Sequence, residues 1–502
     1  MIAGLYDAFL ISIQVVAEPT NIFLLVLATL FGMFIGMLPG LGGTIALALL
    51  IPLTFGINPL VAFMILAAAK GGTNFGGSMT AILINTPGSP PNAATLIDGF
   101  PMARAGEGGR AIGASAAASA FGAIVGVLVL LISIPIMVPM LLLFGPSEIF
   151  WIGIWGLTVI AIVVSDEYLK GLISAVLGLL FAFHGLNIHT ASNRWTYDLA
   201  FMDDGFKLIP ALIGLFAIAE MINLLTKDER ISTEAAVSAA GGKWRGVKDV
   251  FIHRWLFLRS SIIGVVTGII PGIGGAVANY VAYFQAVQTS KNSETFGSGD
   301  VRGVIASESS NDAKDGGAFL PTLAFGIPGS ASMAVLFGAF ILHGINPGPL
   351  LFQLHLDIVM IIIVSLVLSN LISSLTGLLL ADYIVLLTNV DIRALAPIII
   401  GISFFGTYAL NNNIYDLYIA LFFGLFGFVM IVENMSRVPM ILAMVLAPIV
   451  EQNYFRTLQI AGDASGFVSS PLAIALLLLV VVSLFQPYLK PIATTILTRV
   501  LP

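Results

Sequence analysis

The stretch Gly36-Met-Leu-Pro-Gly-Leu-Gly-Gly43 lies inside the apolar run Asn21–Phe55, and it recurs as Gly268-Ile-Ile-Pro-Gly-Ile-Gly-Gly275 inside a second run, Trp255–Tyr283. Proline removes a backbone donor and clashes with the preceding turn, while glycine adds backbone freedom, so we expect both runs to be broken helices. In lipid such a break must be buried in protein or line a polar cavity, because unpaired backbone groups are costly there. A break that occurs once in each half is typical of a transporter's binding site.

The composition indicates a membrane protein. Of the 502 residues, 58% are hydrophobic and 10% are charged, whereas a soluble domain has about 25% charged residues. Runs such as Ala111–Phe144 and Ile358–Ala381 exceed the roughly 20 apolar residues that cross a bilayer. We therefore predict an all-α polytopic protein with about ten to twelve spans. The net charge of −6 gives no reason to expect nucleic-acid binding, and the absence of cysteine excludes disulfides, thiolate metal sites and cysteine nucleophiles.

Two further landmarks repeat in the same order. Gly316–Ser330 matches Gly76–Ser89 with one residue inserted, and both stretches end in Pro-Gly-Ser. Asn412–Gly427 resembles Asp166–Phe181. Three ordered landmarks predict an internal duplication.

The distribution of positive charge predicts that the two repeats are inverted. We call Gly76–Ser89 and Gly316–Ser330 the two hairpins. Arg104 and Arg110 follow the first hairpin, whereas Lys291 and Arg302 precede the second. Positive loops stay in the cytoplasm, so equivalent loops of opposite charge should lie on opposite faces. The basic segment Lys227–Arg259 is placed in the cytoplasm for the same reason. The predicted parts are a first repeat (1–226), this linker (227–259), a second repeat (260–452) and an extra C-terminal span (453–502).

Glycine-rich and polar stretches predict further interruptions in the first half. Lys70–Ser78 contains four glycines, so we expect a break between the apolar pieces Leu60–Ala69 and Met79–Thr86. The polar stretch Asp98–Arg110 is predicted to be a loop. The run Ala111–Phe144 is long enough for one tilted span or a tight pair of spans.

The Pro-Gly-Ser turns and the Pro-Gly breaks are the candidate substrate site. A helix that restarts after a break exposes free N–H groups, and its dipole favours an anion by about 0.3–1 kcal/mol. The alternative is that the turns are structural kinks. The candidate substrate-binding residues are Pro39, Gly40, Ser78, Thr86, Pro87, Gly88, Ser89, Pro271, Gly272, Pro328, Gly329, Ser330 and Ser332.

Polar and charged residues near the hairpins are candidates for ion coupling. The neutral oxygens of Asn74, Asn85, Asn311 and Thr322 are of the kind that hold Na⁺ beside unwound carbonyls, although such side chains also hydrogen-bond between helices.

Lys70, Glu308, Asp312, Lys314 and Asp315 are charged and close to the hairpins. Charges inside a membrane are usually functional, which makes Lys70, Asp312, Lys314 and Asp315 possible charged partners. Lys70 fits a substrate-carboxylate partner or an interfacial anchor equally well, and Lys314 between two aspartates also fits a self-neutralising cluster near an interface. The five histidines show no ligand spacing, so neither a metal site nor a catalytic residue is predicted. The coupling ion is predicted to be Na⁺ or H⁺, with no other cofactor.

Several of these motifs resemble the large membrane subunit of the tripartite tricarboxylate transporters. They are Pro39–Gly43, Ile84–Ser89, Asp98–Met102 and Leu320–Ser330, and the resemblance extends from about Phe31 to Glu451. It implies ion-driven uptake of di- or tricarboxylates or related organic acids across the prokaryotic cytoplasmic (inner) membrane, by a sliding, elevator-like transport domain. A rocking motion of the two repeats is the alternative, and the sequence alone does not separate the two. It also implies two partners, a small four-helix membrane subunit and a periplasmic substrate-binding protein.

The sequence departs from the family at one place, and two other functions compete with this one. The family usually has small uncharged residues between the equivalents of Asn311 and Gly316, where this chain has three charged residues. A stand-alone Na⁺- or H⁺-coupled carboxylate symporter would need no binding protein. An intramembrane enzyme would need a Ser–His pair, paired aspartates or zinc ligands, and no such local signature is visible. The substrate and the stoichiometry stay open at this stage.

Overall fold

The structure, a computed structural model, describes residues 2–141, 143–163, 168–187, 190–198, 200–226, 241–271, 277–348, 350–387 and 392–500. These residues are mainly helical. The helices are α1 (Ile2–Ala17), α2 (Pro19–Met37), α3 (Gly42–Leu50), α4 (Pro59–Ile84), α5 (Ala93–Met102), α6 (Gly108–Leu141), α7 (Pro146–Val163), α8 (Tyr168–Ala182), α9 (Leu208–Leu212), α10 (Ala219–Thr226), α11 (Lys243–Ile252), α12 (Arg254–Ile269), α13 (Ala278–Thr289), α14 (Val301–Phe325), α15 (Ala331–Leu342), α16 (Leu351–Leu354), α17 (Leu356–Leu387), α18 (Ile392–Asn411), α19 (Ile414–Val432), α20 (Val438–Ala461) and α21 (Pro471–Val500).

The described residues also form five short 3-10 helices, two π-helical turns and one β-hairpin. The turns are Ala103–Glu107, between α5 and α6, and Ile213–Ile218, between α9 and α10. The antiparallel strands β1 (Gly185–Asn187) and β2 (Ser192–Arg194) follow α8.

The described residues contain six helical stretches that are long and apolar enough to cross a membrane, or seven if one bent pair counts as a span. The chain is therefore a multi-pass membrane protein, with fewer full-length spans than the ten to twelve predicted. The reason is that other apolar helices are only 10–17 residues long and that α14 carries five charged residues. The six stretches are Pro19–Met37, Pro90–Leu141, Leu208–Thr226, Leu356–Tyr383, Ile414–Val432 and Val438–Ala461, and the bent pair is Lys243–Ile252 with Arg254–Ile269, at 81°.

Both predicted Pro-Gly breaks interrupt helices. Between α2 and α3 the chain turns at Gly40 and Gly42, with φ of +80° and +50°, a region that favours glycine. In the second half α12 ends at Ile269 and α13 begins at Ala278; the intervening residues 272–276 lie outside the described part of the chain.

Two other predictions about the first half are wrong. Lys70–Ser78 does not break the chain, because α4 is continuous from Pro59 to Ile84. Its glycines serve close helix contact instead: a Cβ on Gly72 or Gly76 would lie 2.2 Å from a backbone oxygen of α2. The predicted loop at residues 98–110 is helical apart from a kink at Gly106, where φ is +83°. The apolar run that follows forms the single helix α6.

The central helices α4 and α14 are the core of the molecule. Leu66–Ile84 and Gly303–Ala324 are buried throughout. Glycines on the preceding helices make this packing possible, since small residues let helix backbones approach closely. A Cβ on Gly36 would lie 2.3 Å from Thr73 O, and one on Gly268, its match at an offset of 232 residues, would lie 2.2 Å from Lys314 O.

The helix contacts recur between the two halves. α2 packs on α4 as α12 packs on α14, and α6 packs on α14 as α17 packs on α4. Farther along, α8 packs on α20, while α19 packs on the π-helical turn Ile213–Ile218. Each half thus contacts the other through corresponding helices. In the predicted linker, the chain is helical from Lys243 onward, and residues 227–240 lie outside the described part.

Candidate functional site

The first Pro-Gly break contacts the first Pro-Gly-Ser turn. The N–H of Gly40 donates to the carbonyl oxygen of Gly88 over 3.1 Å. A Cβ on Gly42 would lie 3.2 Å from Ser89 Cβ. The two elements are 45 or more residues apart in the chain, and the structure brings them into contact.

The second Pro-Gly-Ser turn reaches the same place from the other half. The hydroxyls of Thr44, at the start of α3, and Ser332, at the start of α15, are 3.2 Å apart. A Cβ on Gly43 would lie 3.0 Å from Lys70 Cδ and 3.3 Å from Ser332 Oγ. Two helix starts and one buried lysine therefore meet at this point, which we call the tip region (Gly40–Thr44, Ser89, and Ser330–Ser332).

The tip region is accessible, and the residues behind it are not. Gly40 is exposed, and Gly43, Thr44, Ser89, Ser330, Ala331 and Ser332 are partly exposed. Lys70 and Asn74, one to two turns deeper along α4, are only 5% and 8% exposed. The tip region therefore lies at the protein surface beside a buried charged network.

The two Pro-Gly-Ser turns are chemically different. Ser330 caps α15 by accepting from Met333 N–H over 3.3 Å, and the first N–H groups of a helix have no acceptor within it. In the first turn Pro90 and Pro91 follow Ser89 and carry no N–H. The second turn thus offers backbone amides together with a hydroxyl, while the first offers the Ser89 hydroxyl, which donates to Asn92 Oδ1 over 2.5 Å.

The glycines of these turns serve packing. Gly88 N–H donates to Gly77 O over 3.3 Å, and a Cβ on Gly88 would lie 1.8 Å from Gly36 O. Gly329 N–H donates to Thr322 Oγ1 over 3.2 Å, and a Cβ there would lie 2.9 Å from three atoms of Ala318. These two amides are therefore already bonded within the protein, and substitution of either glycine would disturb the fold before any ligand is considered.

A buried ion pair joins the two central helices. Lys70 Nζ on α4 contacts Asp315 Oδ2 on α14 at 2.6 Å and also donates to Asn74 Oδ1 over 3.0 Å. Asn74 Nδ2 donates to Asp315 over 2.7 Å and to Asp312 over 3.0 Å. Ser119 on α6 donates to Asp312. Lys70 is thus neither an interfacial anchor nor free for a substrate, and Asp315 pairs with it across the halves.

Glu308 forms a second group one helical turn away. Its Oε1 accepts from Ser78 over 2.8 Å and from Thr95, and its Oε2 accepts from Ser115 over 3.0 Å. Glu308 is 0% exposed. Asn92 Nδ2 donates to Ser78 Oγ over 2.8 Å, which joins this carboxylate to the first Pro-Gly-Ser turn.

The other predicted residues have individual positions. Asn85 is exposed and ends α4 with φ of +56°, as Gly326 ends α14 with φ of +69°, so a left-handed cap accounts for it. Asn311 accepts from Lys314, which makes Lys314 a partner of its own helix and not of the flanking aspartates. Thr322 donates to Ala318 O over 2.6 Å and fixes the second turn.

The remaining prolines and Thr86 lie beside these turns. Pro39 and Pro87 are half-buried, Pro271 and Pro328 are buried, and Thr86 Oγ1 donates to Ile84 O over 3.1 Å. Gly272 lies outside the described residues.

Sequence reasoning missed the hydroxyls that surround the carboxylates. Ser115 and Ser119 are four residues apart in the Ala- and Gly-rich start of α6, a spacing that puts both on one helix face. That pattern could have been found. Asn92 and Thr95 lie between the first Pro-Gly-Ser turn and Asp98, in a stretch for which the sequence analysis predicts no site residue, so only the fold places them here.

Outside the network, the side chain of Asp98 bonds α5 to α13 and to the loop before α14, an arrangement that we call the Asp98 clamp. Asp98 on α5 accepts from the backbone N–H groups of Gly297, Gly299 and Asp300 over 2.8–2.9 Å and from the Tyr283 hydroxyl over 2.9 Å. Burial alone would raise the pKa of Asp300, but hydrogen bonds from Arg302 and Thr295 hold it below its ordinary value.

The comparison with known families identifies the chain. A sequence profile of the tripartite tricarboxylate transporter TctA family matches residues 22–442. The chain belongs to this family. The resemblance seen in the sequence motifs is thereby confirmed, and membership of the TctA family makes the chain a membrane subunit of the tricarboxylate transporter type.

Two proteins of Agrobacterium vitis are similar to this TctA-family chain. An uncharacterized 52.8 kDa protein in the TAR-I ttuC' 3' region is 34% identical over 461 residues, 91% of each chain. An uncharacterized protein in the TAR-II ttuC' 3' region is 36% identical over 215 residues, 43% of this chain and 89% of its own length. No solved structure matches the chain.

Proposed function

We propose that this chain is the large membrane subunit of a tripartite transporter that imports di- or tricarboxylates or related organic acids across a prokaryotic cytoplasmic membrane. An ion gradient would drive uptake, a periplasmic protein would deliver the substrate, and a small membrane subunit would complete the complex. Family membership supports the class of transporter. The observation that carries the site is that the first Pro-Gly break contacts both Pro-Gly-Ser turns, through the hydrogen bond from Gly40 to Gly88 and the 3.2 Å contact between Thr44 and Ser332.

The tip region suits a carboxylate. The helix starts of α3 and α15 direct N–H groups and the positive ends of their dipoles toward the tip region. The hydroxyls of Thr44 and Ser332 bond to each other there, which leaves one of their two protons free to donate to a ligand. Lys70 lies directly behind Gly43, but its charge is paired with Asp315. A carboxylate-rich anion could therefore bind to donors from both halves.

The site is tested with the reconstituted complex and labelled di- and tricarboxylates. Ser332→Ala should raise the KM for uptake about two- to tenfold, since one hydrogen bond contributes about 0.5–1.5 kcal/mol. Ser293→Ala, in an exposed loop turn far along the chain, is the matched control. Unchanged KM values for both Ser332→Ala and Ser89→Ala would place the substrate elsewhere.

We also propose that the two repeats are inverted and that the hairpins α4–α5 and α14–α15 move as a unit. The corresponding helix contacts of the two halves support this arrangement. The chain has no cysteine, so single cysteines report topology directly. Cysteines at Ala105 and Trp244 should react only from the cytoplasmic side, and those at Asn58 and Asn346 only from outside. Labelling of Asn58 and Ala105 from the same side would refute inversion.

Dependence on a binding protein is tested by omission. Uptake at micromolar substrate should require the periplasmic protein, because the described residues form no large extramembrane domain that could capture dilute substrate. Efficient uptake by this chain alone would favour the stand-alone symporter.

A further inference from the structure

The buried network contains an unequal number of charges. Lys70 and Lys314 face three carboxylates, Glu308, Asp312 and Asp315, and all five residues are 6% exposed or less. With every group ionised, one negative charge is in excess. A buried charge without compensation is costly, so the network favours the uptake of one positive charge.

Among the described residues, Glu308 and Asp312 are the two carboxylates of the network that form no ion pair, since Lys70 contacts Asp315 and Lys314 bonds to Asn311. Asp312 accepts from the amide of Asn74, a group that only donates and so requires an acceptor oxygen. The partners of Glu308 are the hydroxyls of Ser78, Thr95 and Ser115, which can also accept from a protonated acid. A proton that removes the excess charge is therefore best accommodated on Glu308.

The contacts of Glu308 suit a proton better than a metal ion. Ser78 and Ser115 oxygens lie 2.8 and 3.0 Å from its carboxylate oxygens, a distance that a shared hydrogen requires. Neighbouring ligands of a cation held at about 2.3 Å stand about 3.3 Å apart or more. Hydroxyls both donate and accept, so the same three partners satisfy Glu308 when it is ionised and when it carries a proton.

A chain of hydrogen bonds connects Glu308 to the tip region. Ser78 Oγ contacts Glu308 at 2.8 Å and Asn92 Nδ2 at 2.8 Å, and Asn92 Oδ1 accepts from Ser89 over 2.5 Å. Ser89 is partly exposed in the tip region. A ligand that reorients Ser89 therefore acts, through Asn92, on the Ser78 hydroxyl that contacts Glu308.

We propose that Glu308 carries the coupling proton and that protonation of Glu308 and binding of the carboxylate at the tip region favour each other. The proposal rests on the function proposed above and specifies its coupling ion. A polyanion next to a network with excess negative charge is repelled, and one proton on Glu308 removes that excess. By linkage, each ligand then raises the affinity for the other.

The charged groups around Glu308 are those of the packed helices. Asp312, Lys314 and Asp315 lie on its own helix, Lys70 lies on α4, and Asp98 lies on α5, where its carboxylate is bonded to backbone amides and to Tyr283 of α13. From α6 come the hydroxyls Ser115 and Ser119.

The test uses the complete complex in proteoliposomes with the membrane potential clamped. For one proton per substrate, each unit of inward pH difference should raise the accumulation ratio of a labelled carboxylate about tenfold. Glu308→Gln should abolish this response, and carboxylate exchange by this variant should no longer depend on pH. Glu294→Gln, which changes an exposed loop carboxylate, is the matched control and should respond like the unmodified protein.

Three results would overturn the proton site. The first is a normal response of Glu308→Gln to the pH difference. The second is accumulation by the unmodified complex that follows a Na⁺ gradient and does not respond to a pH gradient. The third is a pH dependence of uptake in Ser115→Ala that is the same as in the unmodified complex. The last variant serves if Glu308→Gln does not insert: it removes one donor to the ionised carboxylate, so the pH of half-maximal uptake should rise. Absence of any carboxylate uptake by the unmodified complex would overturn the proposed function together with this site.

Discussion

The buried ion pair between Lys70 and Asp315 gives the sharpest prediction about stability. Its charged atoms are 2.6 Å apart and the side chains are 6% and 8% exposed. Removing one partner of a buried pair costs about 3–5 kcal/mol, because the other charge stays buried without compensation. We expect Lys70→Met and Asp315→Asn each to lower the free energy of unfolding by about that amount.

The double variant distinguishes the interaction energy between Lys70 and Asp315 from the contribution of each residue alone. Lys70→Met/Asp315→Asn leaves no unpaired member and restores the net charge of the network. Its loss should therefore be smaller than the sum of the two single losses, by about 0.5–3 kcal/mol. Unfolding of the purified protein in mixed micelles, followed by tryptophan fluorescence during a titration with denaturing detergent, measures all four proteins.

The exposed pair Lys243–Asp382 is the matched control. Its atoms are 3.1 Å apart, but the side chains are 19% and 46% exposed, so Lys243→Met should cost no more than about 1 kcal/mol. Additive losses in the double variant, within about 0.5 kcal/mol, or a loss for Lys70→Met no larger than for the control, would refute the reasoning.

Three further predictions concern packing, the clamp and pH. Gly76→Ala should prevent stable folding, because its Cβ would lie 2.2 Å from a backbone oxygen. Gly401→Ala, whose Cβ meets nothing within 4 Å, is the control and should be neutral. The yield of monodisperse protein measures both variants, and equal yields would contradict the packing argument. Asp98→Asn should lower the free energy of unfolding by at least about 1.5–3 kcal/mol, the value of one hydrogen bond to a charged group. A variant that unfolds at the same denaturant concentration as the unmodified protein would argue against the clamp. The pKa of Asp300 is lowered from 3.8, so its contribution to stability is present above that pH and is lost as the pH falls below it. Unfolding midpoints measured across that range should decline less in Asp300→Asn, and identical declines would show that Asp300 is not linked to folding.

The residues at the breaks were predictable because backbone chemistry is local. Pro39 and the glycines after it interrupt a helix whatever surrounds them, and α2 does end at Met37. The glycines of Lys70–Ser78 misled the prediction for a related reason. Glycine in a helix weakens it only when nothing packs there, and in α4 the adjacent helix takes up the space.

Burial of the charged residues could not be deduced from their spacing. Lys314 between two aspartates predicts a local cluster, yet Asp315 pairs with Lys70, 245 residues away. Which carboxylate keeps an unbalanced charge depends on that pairing. The separation between Glu308, bonded to hydroxyls, and Asp315, bonded to a lysine, is therefore a property of the assembled helices.

The sequence by itself determined the membrane class, the family and the positions of the Pro-Gly and Pro-Gly-Ser turns, because hydropathy and backbone restriction are properties of neighbouring residues. Only the tertiary structure decided that these turns meet, as at the contact between Thr44 and Ser332. It also decided that hydroxyls from α4, α5 and α6 surround Glu308. Contacts between residues hundreds of positions apart follow from how the helices pack, and helix packing is fixed by small residues and buried polar groups acting together across the whole bundle.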